Sequence, residues 1–160
     1  MGLAEVSTIL WRERELLELL LFKLEEEQLM LSAGRTRWLA RATREVEVVL
    51  AEIRRTELAR ATEVDHAASI LGLGPGPSLT RLADACPEPW AGLLRDHQNA
   101  FRTLTAEITQ LSEVNRDLLT TGQQATREAL LFLTGEARTY TPTGTSATVT
   151  PRAMLMDEAL

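Results

Sequence analysis

The chain has 160 residues, of which 44% are hydrophobic and 25% charged, and its 17 basic and 23 acidic side chains give a formal net charge of −6. This composition predicts one globular domain, and the low aromatic content of 4% favours helices over sheets. The single cysteine, Cys86, excludes an internal disulfide and a cysteine-based metal cluster. Acidic residues interrupt the basic ones along the chain, which argues against a nucleic-acid-binding protein.

The sequence also argues against membrane insertion. Its most apolar stretch covers residues 16–24, contains Glu18 and Lys23, and falls short of the roughly 18 apolar residues that a membrane span needs. The N-terminal residues show neither a basic region nor a small-residue cleavage site of a secretory signal. We therefore expect a cytoplasmic protein.

Two helices are predicted for the first half of the chain, over residues 3–32 and 36–71, with a turn at Gly34 between them and Thr36 as the N-cap of the second. A leucine stands at every seventh position of the first helix, which is typical of a coiled coil. The short connection predicts an antiparallel hairpin. Facing positions on the two helices should form its core: Leu10, Leu17 and Leu24 against Val46 and Ile53.

The segment 72–77 holds three glycines and two prolines, which predicts a hinge. A short helix over residues 78–85 should follow, capped by Ser78. A long third helix is predicted for residues 89–134, because apolar positions recur in alternating steps of four and three from Trp90 to Phe132. At 1.5 Å per residue it would be roughly 70 Å long, about twice what a compact bundle of this size needs, so part of it should protrude, break or pair with another chain.

The expected fold is therefore all-α: an antiparallel helical hairpin plus a third long helix, forming an elongated coiled-coil-like bundle over residues 1–135. From residue 136 to 160 the chain alternates threonine with small or turn-forming residues, which predicts a flexible tail. The tail ends in a short apolar tip with Met154, Leu155 and Met156. Too short to persist as a helix in water, the tip is either an element that folds on binding or a frayed terminus.

Signatures of catalysis and of metal binding are poor. Glu63 stands three residues before His66, but Leu94 stands three before His97, so the second half of a di-iron Glu-x-x-His pattern is missing. The glycines of residues 72–76 lack the preceding strand and the following lysine of a phosphate-binding loop. We predict no catalytic residue, no metal and no cofactor. His97 lies in the apolar stripe of the third helix and is predicted to be structural.

Two residues interrupt that stripe. Asn115 places an amide where a buried polar group needs a partner, and its expected role is to specify the register of helix packing. Gly122 costs about 1 kcal/mol of helix stability relative to alanine. It predicts either a close helix contact or a weak point where the helix can bend.

The most specific pattern in the chain runs through the same region. It begins as Asn115-Arg116-Asp117-Leu118-Leu119 and continues through residues 130–135 to Thr139-Tyr140-Thr141-Pro142-Thr143-Gly144. The chain resembles the FlgN family of bacterial flagellar export chaperones over roughly residues 10–144. Members of that family often carry an Asn-Arg-x-Leu-Leu run and end the helix before a Thr-Tyr-Gly-Pro-x-Gly-like segment. Here Thr141 stands where glycine is common.

The resemblance implies a cytoplasmic, non-enzymatic chaperone that holds the terminal helices of hook-associated proteins, the proteins of the hook–filament junction, before export. Its partners would be those proteins and the flagellar export gate. The alternative is a structural coiled-coil adaptor that homo-oligomerises through its apolar stripes. Genes for hook-associated proteins beside this one, and binding of their terminal segments, would favour the chaperone.

The client-binding surface should combine the second half of the long helix with the apolar tip, because both carry apolar side chains without an obvious intramolecular cover. The predicted residues are Leu118, Ala125, Leu130, Phe132, Leu133, Met154, Leu155 and Met156. Tyr140 matches the linker tyrosine that the family resemblance implicates in docking to the export gate, and an exposed tyrosine that packs back on its own helix end is the alternative.

Overall fold

The computed structural model describes residues 2–139, with side-chain environments for residues 2–134. The described residues form no strand, which confirms the all-α class. They contain α1 (Gly2–Ser32), a short 3₁₀ helix (Thr36–Trp38), α2 (Leu39–Ile70), α3 (Leu79–Ala85) and α4 (Trp90–Thr139). The chain divides into two compact units, one of residues 1–116 and one of residues 117–160.

Helices α1 and α2 form the predicted antiparallel hairpin. Lys23 near the end of α1 contacts Glu45 near the start of α2, while Glu13 contacts Arg60 farther down both helices. The turn between them is closed by hydrogen bonds from the amides of Gly34 and Arg35 to the carbonyls of Leu31 and Met30, at 3.2 and 3.0 Å. Gly34 has a φ of +63°, a left-handed conformation that side chains rarely adopt, so glycine suits this position.

The buried stripe of α1 differs in phase from the predicted heptad of leucines. It runs through Leu10, Leu16, Leu20 and Leu24, whereas Leu17 is only half-buried and packs at the edge of the core. Leu10 and Leu24 are both buried as predicted, so the departure is local: between them the buried positions recur in steps of three and four through Glu13, Leu16 and Leu20. The prediction that Leu17 is a central core residue was wrong, and Leu16 takes that place.

The core of the first unit consists of two apolar clusters. One lies toward the open end of the hairpin and brings α3 and α4 onto α1 and α2; its buried members are Val6, Leu10, Val64, Ala67, Leu82, Ala83 and Leu94. The other lies toward the hairpin turn and joins Leu16, Leu20 and Leu24 to Val46, Val49 and Ile53. Ile108 and Leu111 of α4 pack against this second cluster.

An ion pair stands between these clusters on the α1–α2 seam. One guanidinium nitrogen of Arg60 donates to both carboxylate oxygens of Glu13, each at 2.9 Å. The Glu13 side chain is only 5% exposed, and that of Arg60 is 31% exposed. Burial raises the pKa of Glu13, the charge of Arg60 opposes that rise, and the nearby charge of Glu57 adds to it.

Of the two N-caps predicted from the sequence, the structure confirms one. Ser78 caps α3 as expected, because its hydroxyl accepts a hydrogen bond from the amide of Arg81 at 3.2 Å. Thr36 does not cap α2: it lies inside the 3₁₀ helix, and Trp38 stands at the N-cap without a side-chain hydrogen bond. In the predicted hinge, the amide of Gly76 donates to the Asp65 carboxylate of α2 at 2.6 Å.

Candidate partner-binding site

Residues 117–134 of α4 carry the described part of the predicted client-binding surface. No proline interrupts this stretch, and local hydrogen bonds support the helix: Gln124 donates to Glu128 at 3.3 Å, and the Thr126 hydroxyl donates to the carbonyl of Gly122 at 2.9 Å. Leu118 is half-buried, and every other side chain from 117 to 134 is exposed. This helical stretch therefore presents nearly all of its side chains to solvent.

Four consecutive apolar side chains stand out in this stretch, at Leu130–Leu133. Leu130 is 58% exposed, Phe132 66% and Leu133 61%. Successive residues of an α-helix are rotated by about 100°, so four in a row surround the helix on all sides. A single neighbouring helix covers only one face, and a run of this kind exposed to water is characteristic of a binding segment.

The structure also shows what the stripe argument missed. Leu131 is 64% exposed and completes the apolar ring, and Leu119 beside Leu118 is 43% exposed. The prediction left both out, although each lies directly beside predicted residues. Ala125 is exposed as well, with a small side chain that leaves room for a partner. We call Leu118, Leu119, Ala125 and Leu130–Leu133 the α4 apolar surface.

Several predicted site residues fall beyond the part of the chain that the structure describes. Tyr140 follows Thr139, the last residue of α4, and lies outside the described residues, as do Met154, Leu155 and Met156. Their assignments stay predictions from the sequence.

Asn115 is the last fully buried side chain of α4 among the described residues, at 6% exposed. Its amide nitrogen donates to the backbone carbonyl of Leu24 at 2.9 Å and to the Glu27 carboxylate at 3.4 Å. The side-chain oxygen is buried without a hydrogen-bond partner among the described residues. The bond to Leu24 joins α4 to α1 at this level, and a shift by one residue would remove it; the register role of Asn115 stays a prediction.

Gly122 has open space around it. A Cβ atom built there meets no other atom within 4 Å among the described residues, so the close helix contact that the sequence allowed is not formed by them. The second expectation for Gly122, a weak point of the helix, stays a prediction. Its physical basis is the higher conformational entropy of glycine in the unfolded chain.

His97 is buried in an aromatic cluster at the α1–α4 contact, at 1% exposed. Trp11 meets it edge to face with ring centroids 4.8 Å apart, and Phe101 stacks at 6.2 Å. Neither ring nitrogen has a hydrogen-bond partner in the described structure. Burial lowers the pKa of His97, the Arg14 guanidinium lowers it further, and Asp96 opposes both. The ring is therefore held neutral near pH 7 and packs between Trp11 and Phe101.

Other features bear on the remaining functional predictions. Within the described residues, no group of three or more His, Cys, Asp or Glu side chains could hold a metal ion. His66 lies 3.9 Å from Glu63 and is exposed. The half-buried Cys86 has a pKa raised by burial, which keeps its thiol protonated. No helix in the described part of the chain is both long and apolar enough to cross a membrane.

Comparison with known proteins adds one match. The model of one protein family, described as FlgN protein, matches residues 1–148 of the 160. Searches of curated proteins and of solved structures gave no match.

Proposed function

The chain belongs to the FlgN family of flagellar export chaperones, and we propose that it acts in the cytoplasm by binding the terminal helices of hook-associated proteins. In this proposal it keeps those proteins from assembling early and delivers them to the export gate. The role needs a surface for apolar helices and no catalytic residue. The observation that carries the proposal is the apolar ring at Leu130–Leu133, exposed on α4.

The energetics fit a helix-binding role. Burying one Leu or Phe side chain fully is worth roughly 1.5–3 kcal/mol, and micromolar affinity corresponds to about 8 kcal/mol. The four side chains of the ring are 58–66% exposed, so their complete coverage would supply roughly 4–7 kcal/mol before the cost of ordering is subtracted, and the client's own apolar side chains must supply the rest. A client helix that is itself apolar on one face matches this surface, because both partners remove apolar area from water.

The test is the double substitution Leu130→Asp with Phe132→Asp, measured by isothermal titration against a purified hook-associated protein that retains its terminal helices. We expect binding to fall by at least 100-fold, since each carboxylate would be desolvated in the interface. The matched control is Leu58→Asp with Ile70→Asp, two α2 side chains exposed to similar extents of 73% and 63%. Unchanged affinity in the first variant, with a normal helical spectrum, would place the client surface elsewhere.

The apolar tip is the second part of the proposed client surface. Met154, Leu155 and Met156 lie outside the described residues, and the sequence alone motivates their role. Replacing all three with serine should weaken client binding, with less effect than the change at Leu130 and Phe132. If the triple variant binds as tightly as the parent chain, the tip is a frayed terminus.

Tyr140 is proposed to dock on the export gate. An aromatic ring that follows the end of α4 can enter an apolar depression while its hydroxyl keeps a hydrogen bond. Tyr140→Ala should leave client affinity unchanged but weaken binding to the cytoplasmic domain of the gate and reduce swimming. Tyr140→Phe keeps the ring and separates the two contributions. Normal gate binding by the alanine variant would contradict the assignment.

The alternative function, a homo-oligomeric coiled-coil adaptor, makes a different use of the α4 apolar surface. A second copy of the chain would cover Leu130–Leu133 in place of a client. Analytical ultracentrifugation of the chain alone and with a hook-associated protein separates the two cases. A stable oligomer that Leu130→Asp with Phe132→Asp dissociates, and that no hook-associated protein displaces, would favour the adaptor.

A further inference from the structure

The closed end of the hairpin carries a stretch of chain whose charge differs from that of the whole protein. From Gln28 to Arg44 there are four arginines and no acidic residue, on a chain with a net charge of −6. This stretch is an exception to the interspersed charges that argued against a basic surface. Its arginines, Arg35, Arg37, Arg41 and Arg44, are all exposed.

Two neighbouring clefts lie at this end. The first has a volume of about 600 Å³ and an apolar lining of Leu29, Met30, Trp38 and Ala42, with Glu26, Arg35, Arg41 and Glu45 around it. The second is bounded by Lys23, Arg44, Val48 and Val49 and shares Arg41 and Glu45 with the first. Both clefts present large apolar side chains to solvent: Leu29 is 70% exposed, Trp38 53% and Val48 67%.

The two carboxylates at these clefts are already neutralised. Lys23 lies 3.0 Å from Glu26 and 2.8 Å from Glu45, and Arg41 reaches Glu45 at 3.2 Å. Arg35 and Arg44 form no ion pair within the described structure. The clefts therefore combine apolar surface with two guanidinium groups, of Arg35 and Arg44, that are available to pair with an anionic partner.

We propose that this hairpin-end surface, formed by Leu29, Arg35, Trp38, Arg44 and Val48, binds an acidic amphipathic segment of a partner protein. Trp and Arg are the residue types that most often dominate binding energy at interfaces, and Lys23 and Arg41 pair with Glu26 and Glu45, the two acidic residues that line the clefts. Trp38 and Val48 are ten residues apart, which is roughly 15 Å along a helix at 1.5 Å per residue. The partner segment thus carries two apolar anchors at about that separation, with carboxylates placed to meet Arg35 and Arg44.

A polypeptide fits this surface better than a nucleic acid. A phosphodiester backbone places a negative charge at every nucleotide, whereas an amphipathic peptide places carboxylates at the arginines and apolar side chains at the apolar lining between them. The ring of Trp38 also has the Arg37 guanidinium 5.1 Å from its centre, which occupies a face that a base would need for stacking. The apolar lining of Leu29, Met30 and Ala42 matches aliphatic side chains.

The hairpin-end surface shares no residue with the α4 apolar surface and lies in the unit of residues 1–116. It therefore goes beyond the proposed client binding and does not depend on it. A chain with both surfaces would contact two different proteins.

The experiment uses the full chain and a phage library of random 16-residue peptides. Peptides are selected on the parent chain and counter-selected only on the uncoated surface, and two variants, Arg35→Ser with Arg44→Ser, and Trp38→Ala, are kept for the affinity measurements. The best peptide is then synthesised, and its affinity is measured by fluorescence anisotropy at about 50 and 200 mM salt. Matched controls are Arg54→Ser with Arg55→Ser, two exposed arginines of α2 outside the clefts, and Leu58→Ala.

We expect the selected peptides to be rich in Asp and Glu and to contain large apolar residues. Both hairpin-end variants should lose at least tenfold in affinity, the controls should lose less than twofold, and the higher salt should weaken binding. Basic or uncharged peptides, equal binding to all variants, or no enrichment over the uncoated surface would overturn the proposal. Displacement of the peptide by an equimolar poly-uridine strand would instead identify the surface as a nucleic-acid site.

Discussion

The ion pair between Glu13 and Arg60 makes a sharp prediction about stability, because its two partners differ in exposure. Arg60→Leu would leave the Glu13 carboxylate, 5% exposed, without either of the hydrogen bonds it receives at 2.9 Å. Removing one partner of a buried pair typically costs about 3–5 kcal/mol. Glu13→Leu would leave Arg60 without its partner, but Arg60 is 31% exposed and still reaches water. We therefore expect the free energy of unfolding to fall by about 1 kcal/mol or less.

The double variant Glu13→Leu with Arg60→Leu should lie within about 1 kcal/mol of the parent chain or be more stable, because no buried charge remains. Urea denaturation followed by tryptophan fluorescence measures all three, since Trp11, Trp38 and Trp90 all belong to the unit of residues 1–116. Equal losses in the two single variants, or strictly additive losses in the double one, would refute the asymmetry argument.

The pH dependence gives a second measurement on the same pair. Burial raises the pKa of Glu13, so its contribution to stability is complete below the pKa of the unfolded chain and is lost as the pH rises through the folded value. Without Arg60 the pKa rises further. The deficit of Arg60→Leu relative to the parent should therefore shrink as the pH is lowered from about 7 to about 5. A deficit that is the same at both pH values would contradict this account.

Three further predictions concern the helices. Leu16→Ala should cost about 2–5 kcal/mol by urea denaturation and Leu17→Ala clearly less, because Leu16 is 3% exposed and Leu17 half-buried; the reverse order would restore the heptad phase. Since the pKa of His97 is lowered, the unfolded chain binds its proton first, so stability should fall as the pH drops below about 6.5, and His97→Leu should remove that part of the loss. Gly122→Ala should raise the thermal stability of α4, by about 1 kcal/mol, because its new Cβ meets no neighbour within 4 Å; unchanged helicity on heating would count against Gly122 as a weak point.

The sequence predicted the helices and their pairing because both depend on local signals. Apolar periodicity, the turn at Gly34 and the cap at Ser78 are readable without any tertiary contact. The sequence did not predict which leucine of α1 is buried, because the choice between Leu16 and Leu17 depends on the partner helix, against which either leucine can pack. The buried pair of Glu13 and Arg60 was also missed, since a charged residue on a helix is usually solvated and these two are 47 positions apart.

The candidate site followed the same division. The exposure of Leu130, Phe132 and Leu133 agrees with the argument from the sequence that apolar residues near the end of the long helix lack an intramolecular cover. Leu131 was left out of the prediction although it lies between two predicted residues and is exposed to a similar extent. The hairpin-end surface was missed because its clefts need Leu29 of α1 and Val48 of α2 to lie at the same end, which only the folded hairpin provides.

Among residues 90–134, Asn115 is the last fully buried residue of α4, which has a consequence for helix–coil equilibrium. Residues 116–134 gain little from burial, so their helicity depends on propagation from turns that are already formed, and the unfavourable nucleation step is not repeated. Each residue then adds only a small free energy, and amide hydrogen exchange should quicken steadily from Asn115 toward Thr139. In the proposed client complex, the entropy lost at Leu130–Leu133 on binding is therefore set by how far that propagation extends.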